Sequence, residues 1–156
     1  MKLLITGGHL SPALALIDEI EKIKKEVDII FVGRKYPTDR ERTLSLEYKE
    51  ISKKNLIFIS IEAGRLNRII SVSSLISFIR IPFGLIQAFF IINKYRPDKI
   101  MSFGGYLALP VVFWGYIFRI PVYTHEQTLR PGLANRFISF FSKKIFVSFD
   151  EVKHNF

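Results

Sequence analysis

Short apolar runs alternate with longer segments of helical periodicity along the chain. The runs, each four to six residues long, are typical of buried strands and predict six of them, at residues 2–5, 28–32, 56–61, 99–103, 121–124 and 144–148. Ser11 followed by Pro12 predicts the start of a first helix. The sequence Thr38-Asp39-Arg40-Glu41 predicts a capping box that opens a charged surface helix ending near residue 53. Further helices are predicted at residues 107–118 and from Pro131 onward.

This alternation of strands and helices predicts the fold class. Parallel strands need a crossover connection, and the crossovers of such sheets are right-handed helices. We therefore expect an α/β domain, a Rossmann-like parallel sheet with helices on both faces, over residues 1–150. Residues 151–156 show no periodicity and are expected to be a tail or the start of a linker.

The apolar stretch at residues 69–92 allows more than one interpretation. It is long enough to span a bilayer, but it contains Arg80 and Pro82, and a spanning helix would separate the third and fourth strands. We expect Pro82 to divide it into an interfacial helix at 72–80 and a core helix at 82–95. Two ordinary core helices are the alternative.

The net charge and the absence of cysteine limit the kinds of site and partner that the chain can have. The 156 residues include 23 Lys and Arg against 14 Asp and Glu, a net charge of +9, and no Cys, which excludes disulfides, thiolate zinc sites and cysteine nucleophiles. Such a charge suits nucleic acid, anionic lipid or a phosphorylated substrate. Residues 61–96 contain one acidic residue, Glu62, and five basic residues that are interleaved with Ile, Leu and Phe: Arg65, Arg68, Arg80, Lys94 and Arg96. This pattern favours an anionic membrane surface over nucleic acid.

Three distinctive segments each follow a predicted strand: residues 6–9 (Thr-Gly-Gly-His), 104–106 (Gly-Gly-Tyr) and 125–127 (His-Glu-Gln). If the strand order reverses between the first and fourth strands, the two glycine loops flank one crevice, where backbone N–H groups suit a phosphate. Taken singly, a glycine pair is more often a tight turn than a ligand site, and the three segments together are stronger evidence than each alone. His9 is a candidate general base or an ordinary loop histidine, and His125 with Glu126 is a candidate buried pair that holds a loop. Neither G-x-G-x-x-G nor a P-loop is present.

These segments, with Pro12-Ala13, Pro121-Val122 and residues 131–136 (Pro-Gly-Leu-Ala-Asn-Arg), resemble the N-terminal domain of the MurG family in order and spacing. That family transfers N-acetylglucosamine (GlcNAc) from UDP-GlcNAc to undecaprenyl-diphosphate-muramoyl-pentapeptide in peptidoglycan synthesis. The resemblance implies half of a two-domain, inverting GT-B glycosyltransferase that needs no bound metal or other cofactor. It also implies a peripheral location at the cytoplasmic face of the cell membrane, with a missing C-terminal domain or separate subunit binding UDP-GlcNAc.

The resemblance also implies residue roles. His9 would be the catalytic base at the muramoyl 4-hydroxyl. The acceptor and its diphosphate would contact Thr6, Gly7, Gly8, Gly104, Gly105, Tyr106, His125, Glu126, Gln127 and Asn135. The membrane-docking patch, part of residues 65–87, would include Arg65, Arg68, Leu75, Phe78, Ile79, Arg80 and Phe83.

The sequence departs from the family pattern in three ways. The first glycine loop is shorter, Thr128 replaces the usual Asn after His-Glu-Gln, and the chain ends about where the family's linker begins. We therefore expect the chain to be inactive without a donor-binding half. Two alternatives stay open: a subunit that acts on another lipid-linked sugar in capsule or glycan assembly, and a non-catalytic membrane-binding partner module.

Overall fold

The computed structural model describes residues 1–23, 26–37, 43–62 and 72–156, with only the backbone described for residues 72–80 and 155. The strands are β1 (Lys2–Thr6), β2 (Asp28–Gly33), β3 (Ile57–Ser60), β4 (Lys99–Ser102), β5 (Val122–Glu126) and β6 (Lys144–Val147). The α-helices are α1 (Leu10–Lys22), α2 (Leu46–Lys53), α3 (Val72–Tyr95), α4 (Ala108–Ile117) and α5 (Leu133–Phe141). A 3₁₀-helix at Asp150–Asn155 buries Val152, so the non-periodic tail packs onto the domain.

All six described strands lie in one parallel sheet in the order β3-β2-β1-β4-β5-β6. This confirms the predicted Rossmann-like fold. The order reverses between β1 and β4, where Thr6 pairs in register with Ser102. Ligands of such sheets bind beyond the carboxyl ends of the strands at this reversal.

Alternating side chains of each strand build two cores, one on each face of the sheet. Leu4 and Ile100 point to the face covered by α3, α4 and α5, where they pack with Val111 and Ile138. Ile5 points to the opposite face, where it packs with Ile17 of α1, Ile51 of α2 and Phe31 of the neighbouring strand β2. Both cores hold the strand ends in place beneath the loops that follow them.

Two helix starts were predicted incorrectly. α1 begins at Leu10 with His9 as its N-cap, so Pro12 lies within the first turn, where its missing N–H costs no helical hydrogen bond. α2 begins only at Leu46, because Ser45 caps it by accepting a hydrogen bond from the Tyr48 N–H at 3.1 Å. The predicted capping box at residues 38–41 lies outside the described residues.

The division of the apolar stretch at Pro82 was also wrong, since α3 runs through it without interruption. Proline removes one hydrogen bond from a helix, and tertiary packing outweighs that loss here. Ala88, Ile91 and Ile92 are buried, and the Trp114 indole N–H of α4 donates to the Leu85 carbonyl at 2.8 Å. Within the described residues, no helix combines the length and apolar character that crossing a membrane requires.

Candidate functional site

The two glycine loops, residues 6–9 after β1 and 104–106 after β4, touch at the point where the strand order reverses. A Cβ placed on Gly8 would lie 2.2 Å from the Gly104 carbonyl oxygen, and one on Gly105 would lie 3.5 Å from the Gly8 Cα. Gly8 (φ +148°), Gly104 (φ +80°) and Gly105 (φ +77°) also adopt backbone conformations that favour glycine. The loops therefore require glycine both for space and for conformation.

Each of the four glycine N–H groups in the two loops, those of Gly7, Gly8, Gly104 and Gly105, already has an acceptor within the protein. Gly7 donates to the Val32 carbonyl at 2.8 Å and Gly104 to Ser102 Oγ at 3.1 Å. Gly8 donates to Glu47 Oε1 at 3.1 Å and Gly105 to Asn135 Oδ1 at 2.8 Å. An anion bound here would therefore have to exchange with one of these acceptors or use other donors.

A buried carboxylate, Glu126 at the end of β5, organises the second glycine loop. It is 1 % exposed. Its Oε2 accepts from Asn135 Nδ2 at 2.5 Å, and its Oε1 accepts from the N–H and the hydroxyl of Thr128 at 2.8 and 2.7 Å. Burial pushes the pKa of Glu126 up, but the hydrogen bonds from Asn135 and Thr128 together outweigh it and leave the pKa lowered. Glu126 thus orients the amide of Asn135, which in turn holds Gly105.

Two histidines lie near this carboxylate. Burial lowers the pKa of His125, opposed by the charge of Glu126, and a positive charge on His9 lowers it further. His125 Nε2 lies 3.3 Å from Ser148 Oγ, whereas its buried Nδ1 has no hydrogen-bond partner among the described residues. His9 is half-buried, and its side chain makes no capping hydrogen bond to α1. The charges of His9 and Glu126 thus act on the pKa of His125 in opposite directions.

A cavity of about 460 Å³ opens beside the first glycine loop. The Arg34 guanidinium lies 4.9 Å from the centre of the Tyr106 ring. The wall includes both residues, the two glycine loops and the start of α2, through Gly8, Leu10, Arg34, Pro37, Ser45, Leu46, Glu47, Gly105, Tyr106 and Leu107. Sequence reasoning missed Arg34 and Glu47. An acidic residue in the first turn of a helix is a sequence signal that could have pointed to Glu47. It could not be recognised, because α2 was expected to start near residue 38.

The remaining predicted site residues are Thr6, Gln127 and the members of the docking patch. Thr6 is fully buried and its hydroxyl has no partner among the described residues, while Gln127 is half-buried at the end of β5. Arg65 and Arg68 lie outside the described residues, as do the side chains of Leu75, Phe78, Ile79 and Arg80. In the part of the chain that the structure describes, no cluster of His, Asp and Glu could hold a metal ion.

Phe83, the described member of the predicted docking patch, belongs to an exposed apolar stripe on α3. Phe83, Ile86 and Phe90 are 48, 55 and 64 % exposed. The stripe continues onto the end of α4, where Phe118 is exposed and its ring lies 6.0 Å from that of Phe89. This face is apolar and open to solvent.

Comparison with known proteins identifies the family. The profile of the glycosyltransferase family 28 N-terminal domain matches residues 6–147. The chain is 34 % identical over 152 residues to the UDP-N-acetylglucosamine–N-acetylmuramyl-(pentapeptide) pyrophosphoryl-undecaprenol N-acetylglucosamine transferase of Borreliella afzelii, covering 97 % of this chain and 40 % of that protein. It is 36 % identical over 146 residues to the enzyme of the same name from Treponema denticola, covering 94 % of this chain and 37 % of that protein. The chain thus spans about two fifths of the curated relatives it matches.

Solved structures agree on the fold. The crystal structure of Acinetobacter baumannii MurG matches with a TM-score of 0.71 at 22 % identity, covering 96 % of this chain and 42 % of that one. The UDP-GlcNAc 2-epimerase of Methanocaldococcus jannaschii matches with a TM-score of 0.62 at 16 % identity, covering 99 % of this chain and 42 % of that one. At these identities the likeness concerns the fold alone.

Proposed function

The chain belongs to glycosyltransferase family 28, and on this premise we propose that it is the acceptor-binding and membrane-binding half of an inverting GlcNAc transferase. Its acceptor would be undecaprenyl-diphosphate-muramoyl-pentapeptide, consistent with the names of its relatives. The observation that carries the proposal is the meeting of the two glycine loops where the strand order reverses, with His9 in the first loop and Glu126 linked to the second through Asn135.

In this proposal His9 is the general base. It takes the proton of the muramoyl 4-hydroxyl while that oxygen bonds to the anomeric carbon of GlcNAc, and UDP leaves from the opposite face with inversion. His9 suits the role because it follows Gly8 directly and makes no capping hydrogen bond that would occupy its ring. Glu126 and His125 would shape the acceptor side by holding Asn135 and the neighbouring loop.

The donor sugar nucleotide, UDP-GlcNAc, would be bound by a second domain or a separate subunit. The family's relatives are more than twice as long as this chain. Positioning of donor and leaving group contributes much of the rate of such a transfer. We therefore propose that residues 1–150 act as the acceptor domain and transfer no sugar without that second half.

Acceptor binding tests the proposal and its rivals together. We expect the 156-residue chain to bind a fluorescent, short-prenyl analogue of the muramoyl-pentapeptide acceptor, measured by anisotropy. Competition with a prenyl-diphosphate carrying another hexose should be weaker by about tenfold, the effect of one lost polar contact to the sugar or peptide. Preferential binding of the other hexose would support a transferase of capsule or glycan assembly. No binding of either would support a non-catalytic module.

His9 is tested by transfer in the chain reconstituted with a donor-binding half. His9→Ala should lower the rate by about 100-fold or more, the usual contribution of a general base. The matched control is His154→Ala, because His154 is exposed in the terminal 3₁₀-helix. Full activity of the His9 variant would remove His9 from the chemistry.

We further propose that the exposed stripe on α3 docks onto the anionic cytoplasmic face of the cell membrane. The stripe is apolar, and basic side chains flank it along the sequence, with Arg80 before it and Lys94 after it. Binding should require anionic lipid and weaken with salt, since each Lys or Arg near the surface contributes about 1 kcal/mol.

Vesicle sedimentation tests this docking with a matched pair of variants. Ile86→Ser should weaken binding about fivefold, because a half-exposed isoleucine contributes part of its burial free energy to insertion. Ile57→Ser removes an equally exposed isoleucine (51 against 55 %) from β3 and should leave binding unchanged. Equal binding to neutral and anionic vesicles at every salt concentration would overturn the proposal.

A further inference from the structure

The Glu47 carboxylate joins the loops that follow two neighbouring strands. Its Oε1 accepts the Gly8 N–H after β1 at 3.1 Å, and its Oε2 accepts the Arg34 N–H after β2 at 3.2 Å. Both bonds run from neutral N–H groups to a charged acceptor, which makes them stronger than bonds between neutral groups. One side chain thus fixes two loops that lie 26 residues apart in the sequence.

Two glycines make room for this carboxylate. A Cβ on Gly7 would lie 2.3 Å from Glu47 Oε1, and a Cβ on Gly33 would lie 2.9 Å from Glu47 Oε2. A methyl group at either position would push the carboxylate away from its donors. Gly7 therefore serves the contact with Glu47, independently of any ligand at the loop.

The first turn of α2 holds Glu47 in place. Ser45 caps this turn and donates its hydroxyl to the Arg34 carbonyl, so α2 contacts both the C=O and the N–H of Arg34. Ile51, one turn further, is fully buried and anchors the helix to the sheet. The negative charge of Glu47 also lies at the positive end of the helix dipole.

We propose that Glu47 is a positioning residue for acceptor binding. This inference rests on the proposed function and deepens it. Glycine is the most flexible residue, and Gly8 is held at φ +148° in contact with the second loop. By fixing the Gly8 N–H, Glu47 fixes the loop shape on which the placement of His9, the next residue, depends.

Removing the charge of Glu47 could also have the opposite effect on acceptor binding, so the direction of the change decides the test. Backbone N–H groups bound to a carboxylate are the kind that bind phosphate. If the acceptor diphosphate took the place of the Glu47 carboxylate, removing the negative charge would tighten acceptor binding. A positioning role requires that binding weaken.

Glu47→Gln is the informative substitution because it preserves size and removes the charge. Its amide presents one acceptor and one donor to two N–H groups, so one of the two bonds must be lost. Glu50→Gln is the matched control, since Glu50 lies on the same helix and contacts Lys53 at 2.6 Å instead of the loops. Thermal unfolding followed by circular dichroism establishes that both variants are folded at the temperature of measurement.

Two readouts on the 156-residue chain test the role separately. In ¹⁵N NMR spectra we expect the Gly8 amide proton of Glu47→Gln to move upfield and to exchange with solvent about tenfold faster, with no change in Glu50→Gln. The fluorescent acceptor analogue should bind Glu47→Gln about tenfold more weakly and Glu50→Gln as it binds the unsubstituted chain.

The outcomes distinguish this inference from the proposed function. An unchanged Gly8 amide, or equal or tighter acceptor binding by Glu47→Gln, would overturn the positioning role. Failure of the unsubstituted chain to bind the acceptor would instead overturn the proposed function. The Gly8 amide still reports in that case whether Glu47 fixes the loop.

Discussion

The two glycine loops meet at one edge of the sheet, yet carboxylates in very different environments hold them. Glu47 is half-buried and accepts the Gly8 N–H directly. Glu126 is fully buried and acts on Gly105 through the amide of Asn135. The first arrangement can be lost with little damage to the core, whereas the second leaves buried polar groups unpaired when it is broken. One loop therefore depends on a surface contact and the other on the integrity of the domain.

Breaking the buried support should have the largest effect. Glu126→Ala leaves the Asn135 and Thr128 donors without their acceptor, a carboxylate that is 1 % exposed. We expect the free energy of unfolding to fall by about 3 kcal/mol, measured by urea denaturation. Glu50→Ala, which removes a partly exposed carboxylate paired with Lys53, should change it by less than about 0.5 kcal/mol. A loss below about 1 kcal/mol for Glu126→Ala would contradict the contrast between the loops.

Disturbing the second loop itself should cost less. Gly104→Ala places a methyl group 2.5 Å from the Asn135 amide nitrogen at φ +80°. We expect a loss of about 2 kcal/mol in the free energy of unfolding together with weaker acceptor binding. Gly132→Ala is the control, because a Cβ there has no atom within 4 Å and φ is −68°. Equal stability of the two variants would show that Gly104 is not required by its surroundings.

The smallest expected effect is a pH dependence of the free energy of unfolding that arises from His125, beside the second loop. Burial lowers the pKa of His125 in the folded protein, so the unfolded chain takes up the proton first as the pH falls through the ordinary value of 6.5. Stability should therefore decrease as the pH falls below 6.5, and His125→Gln should remove this part of the decrease.

A second decrease belongs to Glu126 at lower pH. Its pKa is lowered in the folded state, so its contribution is present above the ordinary value of 4.5 and is lost as the pH falls through the folded pKa. His125→Gln should leave this acid limb in place. If the stability of His125→Gln between pH 7 and 5 changed with pH as in the unsubstituted chain, the assignment of the first decrease to His125 would be contradicted.

The comparison also explains what the sequence could predict. The convergence of His9, His125 and Glu126 at one edge could be predicted, because each lies at or shortly after the carboxyl end of a strand, and parallel strands bring these ends together. The acceptors of the glycine N–H groups were not found, because Glu47 and Asn135 lie 39 and 30 residues away from their partners. Only the start of α2 at Leu46 puts Glu47 in a first turn, and the sequence signal at residue 38 pointed elsewhere. Pro82 was misjudged for a related reason, since packing against α4 keeps α3 continuous.

An NMR titration of the 156-residue chain with the short-prenyl muramoyl-pentapeptide analogue tests the central claim most directly. We predict that the largest shift changes fall on the amides of Gly7, Gly8, His9, Gly104, Gly105 and Tyr106, and on those of His125 and Glu126. A second cavity, near Arg119 and Lys143, is lined by the residue preceding β5 and by the end of α5. The account would be contradicted if the amides of the two loops did not shift, or if the shift changes were concentrated at this second cavity.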